Sequence, residues 1–93
     1  MAGRAMSENN ERIREIEMGL DKLLRTMSEA PRAEWLSFRQ DIRSLGEKLF
    51  RLTGSAKAMV QVCYRVADMD PPNSGQRISR MTRAWDGIGN WAA

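Results

Sequence analysis

Arg77, Arg80 and Arg83 recur at every third residue near the end of the chain, with Ser79 and Thr82 among them. Guanidinium groups at helical spacing can grip phosphates or carboxylates, because each presents a planar fork of N–H donors and stays charged at any physiological pH. A second basic feature lies upstream. Leu36, Arg43, Phe50, Lys57 and Tyr64 are each seven residues apart, so on a helix they form one stripe alternating apolar or aromatic with basic groups. Such a stripe suits an acidic protein surface or a phosphate backbone. The plainer outcome is that Leu36, Phe50 and Tyr64 pack under a neighbouring helix while the basic stems reach outward. For the arginine triplet the plainer outcome is a solvated face of an amphipathic helix. Trp91 stands in a glycine-containing tail: left free it is a natural partner anchor, folded back it is core.

Catalytic chemistry has little to work with. The chain has no histidine, which removes the commonest general base and the commonest transition-metal ligand. The single cysteine, Cys63, forms no internal disulfide and no CxxC zinc pair, and suits a reducing compartment. Asp68-Met69-Asp70 starts like a calcium loop, but Pro71 and Pro72 occupy positions where oxygen ligands and chain flexibility are needed. Gly87-Ile88-Gly89 follows a helix rather than a strand, so it is no phosphate loop. No catalytic residue, cofactor or metal is expected. The protein is expected not to be an enzyme, to be cytoplasmic, and to have neither an apolar signal core nor a membrane span.

The elements that must position these residues are helices. With 93 residues the chain suffices for one domain with a small core. In the first segment Met6, Ile13, Ile16, Leu20, Leu23 and Met27 alternate spacings of three and four, with Asn9 in the one polar slot. That is a coiled-coil seam, and it predicts a helix over about 7–29, capped by Ser7 and ended by Pro31. Gly19 weakens this helix, so packing must support it. Trp35, Phe38, Ile42, Leu45, Leu49 and Leu52 form a second seam, and its register continues through Gly54 to Ala56, Met59, Cys63 and Val66. The repeat predicts one long helix over about 31–67, about 55 Å long at about 1.5 Å per residue.

Two rival readings attach to that segment. Gly54 can end a helix and Ser55 can cap a new one, which would break it in two. Val60–Val66 also alternates like a strand, although no second strand exists to pair with it. A helix-turn-helix across Leu49–Val66 is disfavoured, because bulky Phe50 sits where close packing needs a small residue. Asp70-Pro71-Pro72 stops the segment. Asn73 with Gln76 resembles a capping box opening a last helix over about 74–86, with Ile78, Met81 and Trp85 on its apolar face and residues 87–93 as a tail.

The expected fold is therefore all-α: an antiparallel helical hairpin with heptad seams, a long central helix and a short C-terminal helix. The first helix covers only half of so long a neighbour, and the other half is apolar nearly all round. A second copy is the obvious cover, which predicts a homodimeric bundle. The seven basic and three acidic residues of the 31–67 segment concentrate positive charge on that helix. Two functions fit. One is a small regulator, inhibitor or adaptor that binds another protein, one with an acidic surface, through Arg43, Phe50, Lys57, Tyr64, Arg77, Arg80, Arg83 and Trp91. The other is a nucleic-acid accessory protein using the same cations on phosphates. The interleaved acidic residues, a net charge of only +3 and the lack of a base-reading motif favour the first.

Overall fold

Gly54 decides the topology. In the computed structural model, which describes residues 2–91 with side chains from Glu8 onward, this glycine adopts φ 60° and ψ 23°, the left-handed conformation that ends helices. Its N–H donates to the Phe50 carbonyl at 2.7 Å. Ser55 then turns extended, and its Oγ accepts from the Ala58 N–H at 3.2 Å, starting the next helix. The single helix expected over 31–67 is thus two. The heptad repeat persists across the break, but two capping residues side by side outweigh it, since each satisfies a backbone group that a helix end leaves bare.

The order of elements is α1 (Ala2–Glu29), a 3-10 turn (Arg32–Glu34), α2 (Trp35–Thr53), α3 (Ala56–Asp68), a second 3-10 turn (Pro71–Asn73) and α4 (Ser74–Ala84), followed by a turn-rich tail to Trp91. The backbone of α1 is helical from Ala2, ahead of the start expected at Ser7. The side chains of Met6 and Ser7 lie outside the described residues. Pro31 is extended rather than helical (φ −60°, ψ 148°), and the Trp35 indole N–H closes the corner on the Ala30 carbonyl at 3.1 Å. Asn73 does not cap α4 as a capping box requires. Its Nδ2 donates instead to Asp70 Oδ2 at 2.9 Å, tying the proline turn to itself.

Breaking at Gly54 lets α3 fold back among the other three helices. Met59, Val62, Cys63, Val66 and Ala67 are all buried there, against α1, α2 and α4. The uncovered half-helix that called for a second copy does not exist, because the chain covers it. The result is an all-α four-helix domain with extents of 47 × 24 × 21 Å. Burial also departs from a strict heptad seam. On α1 the buried apolar residues are Ile16, Leu20, Leu24 and Met27, so Leu24 joins while Ile13 and Leu23 are only half-buried. That drift follows the 3.6-residue period of a straight helix packed in a globular core, not the 3.5 of a supercoil.

Two glycines inside helices admit neighbours. Gly19 receives Leu45, whose Cδ1 lies 3.2 Å from where a Cβ would stand. At Gly46 a Cβ would overlap the Trp85 indole, which donates its N–H to the Ile42 carbonyl at 2.8 Å. Trp85 is fully buried and anchors α4 to α2.

Candidate functional site

The eight residues singled out by spacing scatter. Arg43 is half-buried and serves the fold: its Nη1 donates to the carbonyls of Ala84 (3.0 Å) and Asp86 (2.7 Å), capping the C-terminal end of α4, and its Nε pairs with Glu47 at 3.2 Å. Phe50 packs over Gly89 of the tail. Lys57 and Tyr64 are exposed on α3. The break at Gly54 places them on a different helix from Arg43 and Phe50, so the seven-residue spacing no longer aligns the stripe on one helix face.

Arg77 is not a surface residue. It is 3% exposed, donates from Nη1 to the Val66 carbonyl at 2.8 Å, and faces Asp21 Oδ1 at 2.9 Å and Asp70 Oδ2 at 3.7 Å through Nη2. Burial raises the pKa of Asp21, but hydrogen bonds and charge from Arg25 and Arg77 outweigh it and hold the carboxyl below its ordinary value. Trp91 is likewise not free. It is 8% exposed, its indole N–H donates to the Trp85 carbonyl at 2.9 Å, and the two rings meet edge to face at 5.2 Å.

Arg80 and Arg83 do come together, and with partners that spacing did not select. Between the start of α2 and the face of α4 lies an open cleft of about 290 Å³. The α2 side contributes Arg32, Trp35 and Arg39; the α4 side contributes Gln76, Ser79, Arg80 and Arg83. Met27 and Ile42 supply apolar lining, and no acidic residue lines it. The half-buried Trp35 ring carries two cations, with the Arg80 guanidinium carbon 4.8 Å and that of Arg32 5.2 Å from its centroid. Arg80 also donates to Ser28 Oγ at 3.0 Å, and partial burial pulls its pKa below the usual arginine value. Among the described residues none of these four arginines is ion-paired, whereas Arg25, Arg43, Arg65 and Arg77 all are.

Arg32, Trp35 and Arg39 were legible in principle. Trp35 and Arg39 are four residues apart on α2, and Gln76 and Arg83 are seven apart on α4, so each pair lies on one helix face. What spacing along one helix does not reveal is that the two faces oppose each other. A second, more apolar cleft of about 190 Å³ lies among Val60, Cys63, Tyr64, Ile78, Thr82 and Trp91. Burial pushes the Cys63 thiol up to about 11, which keeps it protonated and unreactive.

The basic cleft can bind and orient an anion. Its lining offers N–H and O–H donors and one aromatic face, and Ser79 is its only side chain of nucleophilic type, with no base among the lining residues. No described helix is long and apolar enough to cross a membrane. No family model matches the chain, and no curated protein or solved structure matches it either.

Proposed function

We propose that this protein is a non-enzymatic interaction module, a regulator, inhibitor or adaptor, that takes an acidic segment of a partner protein into the cleft between α2 and α4. One observation carries the reading: four guanidiniums line one concavity without a carboxylate among them, while Arg77, the one buried arginine among the described residues, is neutralised within the chain. Unpaired like charges repel one another, so an arrangement that keeps them together is best explained by an external anion.

A protein ligand suits the cleft better than a nucleic acid. The Trp35 indole N–H is spent on Ala30 and its ring already carries two guanidiniums, so it offers no free stacking platform for a base. Arg77, the third member of the triplet, is buried in the fold and adds no cation to a phosphate track. Leu36, 64% exposed and one turn from Arg39 on α2, adds an apolar side chain on the same helix, of the kind that an amphipathic peptide would use. The test is calorimetric titration with a short peptide rich in Glu and Leu. Binding should weaken steeply with salt, and the R39Q/R83Q double variant should lose about tenfold or more in affinity. Equal affinity of the variant and the parent would sink the reading.

A further inference from the structure

We infer that the anion recognised in this cleft is a phosphomonoester, carried on a side chain of the partner segment. This rests on the reading of the cleft as the site for an acidic segment of a partner, and it narrows the chemistry. A carboxylate brings one charge and two oxygens; a phosphomonoester brings nearly two charges and three oxygens at neutral pH. The cleft presents Arg32 and Arg39 from one wall and Arg80 and Arg83 from the other, with the Ser79 hydroxyl and the Gln76 amide as further donors. A carboxylate can be shared by two guanidiniums, as Asp21 is by Arg25 and Arg77, but its single charge leaves most of the positive charge of the cleft uncompensated. A tetrahedral dianion brings a third oxygen and nearly twice the charge, so it can engage forks from both walls and neutralise more of them.

Arg80 is the fixed element. Its guanidinium is held on the Trp35 ring and by Ser28, so part of its desolvation and side-chain entropy has been spent before a ligand arrives. Arg39 and Arg83 are exposed and line the cleft from opposite walls. The volume, about 290 Å³, accommodates a phosphorylated side chain with its flanking backbone but is small for a large cofactor.

The cleft also gives this inference a clean signature in pH. The titratable groups facing the ligand are Arg32 from the 3-10 turn, Arg39 from α2, and Arg80 and Arg83 from α4, with none from α1. The chain has no histidine. Any change in affinity near pH 6 therefore belongs to the ligand, whose second phosphate ionisation has a pKa of about 6.

The experiment uses the full chain and three peptides of one Glu- and Leu-containing sequence, bearing serine, glutamate or phosphoserine at one position. Inorganic phosphate and a single-stranded DNA oligonucleotide are run as separate arms. The phosphopeptide should bind about tenfold or more tightly than the glutamate peptide at about pH 7.5, and that advantage should shrink severalfold by about pH 5 as the phosphate becomes a monoanion. R80K keeps the charge but loses the fork, and should reduce the phosphopeptide advantage; circular dichroism checks that it folds, and R83K repeats the test at an exposed position. Equal binding of the glutamate and phosphoserine peptides would overturn the phosphate inference and leave the acidic-segment reading standing. Binding of none of the peptides would overturn both. Inorganic phosphate binding as tightly as the phosphopeptide would make the ligand a free anion, and tighter R83-dependent binding of the oligonucleotide would make it a nucleic acid; either overturns the peptide assignment.

Discussion

Helix α4 holds two kinds of arginine. Arg77, at the junction of α1, α3 and α4, is 3% exposed and meets Asp21, Asp70 and the Val66 carbonyl. Arg80 and Arg83, three and six residues further along the same helix, meet no carboxylate and open into a cleft with Arg32 and Arg39. The residue type and the spacing are the same; what differs is the direction each side chain takes from the helix and what waits there. A guanidinium neutralised within the chain is scaffold, because its charge has already found its partner. One held near three others without a partner costs the fold some repulsion, and that cost is characteristic of binding sites.

If this division is right, the two kinds must respond oppositely to neutralisation. Arg77→Met should be the most damaging single change. It leaves the Val66 carbonyl without its donor and Asp21 with only Arg25, and breaking a buried charge pair costs about 3–5 kcal/mol. For a domain of this size that lowers the Tm by about 12 °C or more in a thermal melt. A drop of only a degree or two would place Arg77 with the arginines of the cleft and erase the distinction.

The tryptophans divide in the same way. Trp85 is sealed against Gly46, with its N–H on Ile42, whereas Trp35 is half-exposed and carries two cations. Gly46→Ala gains helix propensity, worth about 1 kcal/mol, but drives a methyl into the Trp85 ring. Overpacking of that kind costs about 1–3 kcal/mol, so the net effect should be destabilising by up to about 2 kcal/mol in urea unfolding. The affinity of the cleft for an acidic peptide should stay within about twofold, because Arg39 and Arg83 lie outside the Trp85 contact. An undiminished urea midpoint would show that Trp85 has room to move.

How much of this could be read from the sequence depends on whether the deciding interaction was local. Pro31, the Gly54-Ser55 pair and Asp70-Pro71-Pro72 mark every chain reversal by backbone chemistry that is visible in the residues themselves. The apolar face of the last segment was also legible: Met81, Trp85 and Ile88 are buried, and Ile78 is half-buried against the same core. Continuity through Gly54 was the wrong weighting: a heptad register can survive a two-residue break by arithmetic alone, while an αL glycine followed by a serine cap is a specific stop signal. The cleft was half legible. Arg80 and Arg83 were selected with Arg77, because a spacing of three cannot say which of three residues turns inward. Gly46 gave no sequence signal of the indole it admits, since that contact joins residues 39 positions apart.

The smallest expected effect is the sharpest test of the division. Arg39→Gln and Arg83→Gln remove exposed cations that make no described ion pair, so each should change stability by less than about 0.5 kcal/mol. The sign matters more than the size. Relief of repulsion among four neighbouring guanidiniums should make the double variant equal to or slightly more stable than the parent at low salt, and added salt should erase the difference by screening the repulsion in the parent. Measurable destabilisation would mean that these arginines have partners within the fold, like Arg77, and that the cleft is scaffold after all. Stability retained while affinity for an acidic peptide falls is the outcome that separates a binding surface from a structural one, because no purely structural role predicts it.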